Sequence, residues 1–105
     1  MYIDNEKLIN ILKTAQSNNK NDEREILDHY INIIEGNEIG VVLSSIDKKN
    51  YEVFLHARIN KEVISQILFS SYNNVDDAYD RFNYYKNLLE SSNITPIIEL
   101  IETAR

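Results

Sequence analysis

The chain has 105 residues with two glycines, one proline, two histidines and no cysteine. That excludes glycine-rich phosphate loops, cysteine-based zinc sites and thiol nucleophiles. Seventeen acids against eleven bases give a net charge of −6, the wrong sign for direct binding to nucleic acid, where cations must neutralise phosphates.

In chain order, the first predicted element is a helix from Asp4 to Gln16, with Asp4 as its cap and Leu8, Ile11, Leu12 and Ala15 as its apolar stripe. The polar run from Ser17 to Asn21 reads as a loop. A second helix is predicted from Asn21 or Asp22, where Asp22, Glu23 and Glu25 would favour its positive N-terminal end. Ile26, Leu27, Tyr30, Ile31, Ile33 and Ile34 form its broad apolar face, and Gly36 its C-terminal cap.

Residues 39–59 change to an alternating period. Tyr51, Val53, Leu55, Ala57 and Ile59 alternate with Glu52, Phe54, His56 and Arg58, as in a strand with two different faces. A three-residue loop, Lys48-Lys49-Asn50, would pair Leu43 with Leu55, with Asn50 at positive φ. A two-residue turn would place Ser44 opposite Val53, a poorer apolar face.

Asn60 is then expected to cap a short helix carrying Val63, Ile64, Ile67 and Leu68. The strongest helical pattern runs from Val75 to Ser91, with Val75, Ala78, Phe82, Tyr85 and Leu89 at core-facing spacing. Ile94–Ile101 reads as a third strand, with a helix opened by Pro96 after a Thr95 cap as the alternative. The expectation is one α+β domain over 1–105, in the order ααββααβ, with helices packed on a small, mostly antiparallel sheet.

Catalytic chemistry is thin. Ser44, Glu52 and His56 share a face of the predicted hairpin, but no strained turn presents the serine and no loop suits an oxyanion hole. His29, expected one helical turn after Glu25, lacks further groups at metal-ligand spacing. Asp76, Asp77 and Asp80 lack the glycine and terminal glutamate of a calcium loop, and read as helix N-terminal charge, with Asp77 and Arg81 as an i,i+4 pair. No catalytic residue, metal or cofactor is assigned.

Two features remain. Residues 21–38 hold six acids and a single base, Arg24, and Tyr72, Tyr79, Tyr84 and Tyr85 lie close to three aspartates. Carboxylates with amphipathic rings suit a protein interface. The candidate binding residues are Asp22, Glu23, Glu25, Asp76, Asp77, Asp80, Tyr79 and Tyr84. The expected function is a small non-enzymatic binding protein, a stand-alone inhibitor of anti-defence or immunity type that blocks a basic site on a nucleic-acid-processing enzyme such as a nuclease. The alternative is a regulatory or structural subunit that forms a homodimer through its sheet, by an edge or by a face with Val42, Ile46 and Phe54; a small enzyme using His56 or His29 is third. The opening MYIDNEKLIN has no signal core and no apolar run reaches ~20 residues, so the expected setting is cytoplasmic, without a membrane partner. Abundant Asn, Ile and Lys suggest a low-GC bacterial or phage origin.

Overall fold

The computed structural model describes residues 3–19 and 23–103. Among them the order is α1 (Asn5–Thr14), β1 (Glu25–Ile34), β2 (Asn37–Ser45), β3 (Tyr51–Ile59), β4 (Glu62–Tyr72), α2 (Val75–Glu90) and α3 (Thr95–Thr103). The strands form one antiparallel sheet in the order β1-β2-β3-β4. The class is α+β as expected, but the order is αββββαα rather than ααββααβ.

The expected second helix is strand β1. Its stretch is rich in isoleucine, whose β-branched side chain suits a pleated surface better than a helix. The extra residue Leu27 breaks its alternation, because the register shifts between Ile26, opposite Ser44, and Asp28, opposite Leu43. That bulge makes the apolar spacing resemble a helix. Gly36 does not cap a helix. Glu35 and Gly36 have φ of 53° and 83° and join Ile34 to its partner Asn37, as the central residues of a type I′ hairpin do.

The short helix after Asn60 is likewise a strand, β4. Asn60 and Lys61, with φ of 54° and 69°, make a second two-residue hairpin between Ile59 and Glu62. Within β4, Gln66 and Leu68 have positive φ and the pairing slips twice, between Val53 and Leu55 and between Leu55 and Ala57. These irregularities place both Ile64 and Ile67 in the core. A spacing of three between inward residues is what a bulged strand and a helix share.

The β2–β3 hairpin has the expected faces in a different register. Leu43 pairs with Val53, Val41 with Leu55 and Ser45 with Tyr51, two residues away from the expected Leu43–Leu55 pairing. The loop is longer because Asp47 organises it: its Oδ1 accepts from the N–H groups of Lys49 (3.1 Å) and Asn50 (2.9 Å). The Ile46 N–H donates to the Asn50 carbonyl at 3.0 Å. Lys48, at φ 64°, and not Asn50, takes the left-handed conformation. A shift of two preserves which side chains share a face.

All three helices serve one face of the sheet. Leu8 and Leu12 of α1, Ala78, Phe82, Tyr85 and Leu89 of α2, and Ile97, Ile98 and Ile101 of α3 join the inward residues of the strands in one core. Asp4 caps α1, accepting from the Lys7 N–H at 2.8 Å. The tail is a helix, not the expected third strand. The Ile94 carbonyl accepts from Ile97 and Ile98 at 3.0 and 3.1 Å, Pro96 sits in the first turn where no intrahelical donor is needed, and β1 and β4 already complete the sheet.

The chain leaves α1 along the outer edge of β4. Ser17 N–H donates to the Gln66 carbonyl at 2.9 Å and Leu68 N–H to the Ala15 carbonyl at 3.0 Å. It then meets the opposite face of the sheet, where Arg24 Nε lies 2.7 Å from Glu52 Oε1 and its guanidinium sits 5.0 Å from the Phe54 ring centre. Asn19 Nδ2 also donates to Glu52, at 3.4 Å. Residues flanking 20–22 are thus pinned to one buried carboxylate.

Candidate functional site

Helix α2 begins where β4 ends. Asn74 is its cap, its side chain accepting from the N–H groups of Asp76 (2.7 Å) and Asp77 (3.4 Å). Two aspartates in the first turn complement the positive end of the helix dipole. Asp76, Asp80, Asn83 and Asn87 are all exposed, as their recurrence on the side away from Val75 and Phe82 requires.

Asp77, Asp80, Arg81, Tyr84 and Tyr72 line an open depression of about 460 Å³. Arg81 does not form the expected ion pair with Asp77; its Nε donates to the Tyr72 hydroxyl at 3.3 Å. Its guanidinium lies 5.3 and 5.7 Å from the ring centres of Tyr84 and Tyr85. The bond to Tyr72 holds the Arg81 pKa above its ordinary value. Burial pushes the Tyr85 phenol up, so it stays protonated and donates to the Leu68 carbonyl at 3.3 Å. Tyr84 is 43% exposed and presents its ring outward.

Asp77, Asp80 and Tyr84 therefore come together, with Asp76 one residue away. Tyr79 does not join them: it is half-buried and meets Phe82 edge-on at 6.0 Å, sealing the core. Glu23 and Glu25 are exposed but lie at the opposite edge of the sheet. Glu25 pairs with Ser45, Ser45 with Tyr51 and Tyr51 with Tyr72, so Glu25 shares an end of the sheet with the start of α2 but is three strand spacings, about 14 Å, from Tyr72. The expectation for Asp22 falls outside the described residues. Tyr72 and Arg81 are the functional candidates that sequence reasoning did not assign; the sequence signal was an arginine four residues after Asp77 and beside a tyrosine cluster.

The histidine arrangements are not assembled. Ser44 faces Glu52, with its hydroxyl 3.5 Å from Oε1, whereas His56 lies opposite Gly40, two rows further along, about 13 Å. His29 sits on a strand, so four residues separate it from Glu25 by a similar length rather than by one helical turn. Among the described residues no three His, Asp or Glu side chains are grouped to hold a metal ion. No helix there is long and apolar enough to cross a membrane.

His56 carries a pH signature. Burial lowers its pKa, with Glu38 opposing and His29 adding to the shift. The unfolded chain thus takes up this proton first as pH falls below about 6.5. Its contribution is fully present above that value and is lost as pH drops through the folded-state pKa. Urea titrations at pH 8 and pH 5 should show the wild type losing more stability on acidification than His56→Gln.

Compared with protein-family models, curated proteins and solved structures, the chain matches none.

Proposed function

We propose that this protein is a small non-enzymatic binding protein, an inhibitor of anti-defence or immunity type, whose acidic, tyrosine-bearing α2 surface blocks a basic site on a nucleic-acid-processing enzyme. The observation that carries the reading is the depression lined by Asp77, Asp80, Arg81, Tyr72 and Tyr84 beside Asp76. A lysine or arginine of the partner entering it meets two carboxylates at the rim of a tyrosine cluster that Arg81 already occupies. Arg81 is drawn against Tyr72, Tyr84 and Tyr85, which leaves the aspartates to the partner. Carboxylates spaced along a helix present charge where a phosphate backbone would.

The test is kinetic, on a partner captured from a bacterial lysate by the full chain. Asp76→Lys/Asp80→Lys should slow association about tenfold or more at low salt and less at high salt. Tyr84→Ala should mainly speed dissociation, by about tenfold, as loss of an aromatic anchor does. Association indifferent both to salt and to these substitutions would refute the reading.

A further inference from the structure

At the end of the sheet where β1 turns into β2, the face opposite the helices is apolar at its edges and charged at its centre. Directly paired residues of one row run Ile33, Glu38, Arg58, Val63 across β1 to β4. All four are exposed, Ile33 by 55% and Val63 by 60%, and Ile31 in the next row by 47%. Glu38 and Arg58 stand opposite each other without forming an ion pair within the chain; the ion pairs of the described residues involve other groups.

We infer that this face is where a second copy of the chain docks, sheet against sheet, about a two-fold axis parallel to the strands. Such an axis places β1 over the partner's β4 and β2 over its β3. The row is self-complementary under that operation. Ile33 meets Val63 of the second copy, and Glu38 meets Arg58 of the second copy; the reciprocal contacts follow by symmetry. Stacked sheets lie about 10 Å apart, a gap that two long charged side chains bridge. Two like charges at the centre of the row would instead face each other across this interface.

Docking by the β1 edge is disfavoured. The N–H of His29 donates to Asp28 Oδ1 at 2.8 Å and that of Ile33 to Asn32 Oδ1 at 2.9 Å. Asn32 also donates to the Leu89 carbonyl at 2.7 Å, tying the end of α2 against this edge. Edge donors satisfied in this way do not template another strand. Towards the other end of the face, Arg24 covers Phe54, so the free part is about 19 Å wide and two to three rows long. That is a small patch, so the dimer forms at high micromolar rather than nanomolar concentration.

Sedimentation equilibrium of the full chain from about 10 µM to about 1 mM tests this. A monomer–dimer equilibrium is expected, weakened about tenfold or more by Glu38→Arg and by Arg58→Glu separately, because each places like charges together. Mixing the two variants should restore association, since one presents two arginines and the other two glutamates. Circular dichroism of each variant checks that it is folded. A wild type that stays monomeric throughout overturns the proposal, as do folded variants that fail to associate with each other. So does a monomer that loses capture of a different protein on Ile33→Lys, which would assign the face to another partner.

Discussion

Replacing Arg24 with methionine should cost the folded state about 3 kcal/mol, because it leaves a buried carboxylate without its cation. The Glu52 side chain is 1% exposed and that of Arg24 18%. Once the guanidinium is gone, only the longer contacts from Asn19 at 3.4 Å and Ser44 at 3.5 Å remain. Methionine also takes the guanidinium off the Phe54 ring, so the loss includes that cation–π contact and the paired Glu52→Gln variant is needed to isolate the charge. In a domain of this size the expected fall in Tm is roughly 10–20 °C. Adding Glu52→Gln to Arg24→Met should recover more than half of the loss, since the pair itself contributes less than an orphaned charge costs. A single Arg24→Met variant within 0.5 kcal/mol of wild type, roughly the scatter of a surface substitution, would show that the segment is not held by this contact.

Gly40→Ala should destabilise by about 1–2 kcal/mol, against the usual gain from replacing a strand glycine. A Cβ at this position would lie 2.5 Å from His56 Nε2, 2.9 Å from Ile31 Cγ1 and 2.9 Å from the Tyr30 carbonyl oxygen. The imidazole can rotate away. The carbonyl belongs to the backbone of β1 and moves only if the β1–β2 ladder shifts. His56→Ala in the same chain should therefore relieve part of the cost and leave the backbone clash. A urea midpoint unchanged or raised by Gly40→Ala would mean that the two strands are not packed this closely.

How much the sequence conveys depends on whether an element's period is regular. Helices α1 and α2 are legible from the Asp4 cap and from clean stripes such as Ala78, Phe82, Tyr85 and Leu89. The faces of β2 and β3 follow from strict alternation, but their register does not, because Asp47 builds a longer loop than residue type alone suggests. β1 and β4 read as helices since Leu27 and the positive-φ residues Gln66 and Leu68 disturb the two-residue period. Their hairpin turns, Glu35-Gly36 and Asn60-Lys61, lack the Asn-Gly or Asp-Gly pairs that usually announce one. With β1 and β4 read as helices, a lone two-stranded hairpin calls for a third strand, which sets the strand reading of the tail ahead of the helix that Pro96 opens.

At the candidate site, the exposure of Asp76 and Asp80 is legible from helical spacing. The turning of Arg81 towards Tyr72 is not, because it depends on where β4 ends. The Arg24–Glu52 pair was visible only as a lone base among six acids and a glutamate within an apolar hairpin. Their meeting depends on the chain crossing to the other face, which no local pattern encodes.

The most direct measurement is carbodiimide labelling of carboxylates in the complex with the captured partner, read residue by residue by mass spectrometry against the free protein. Binding through α2 predicts that Asp76, Asp77 and Asp80 are protected while Glu38 on the open sheet face labels as before. Protection of Glu38 with all three aspartates still fully labelled would contradict it.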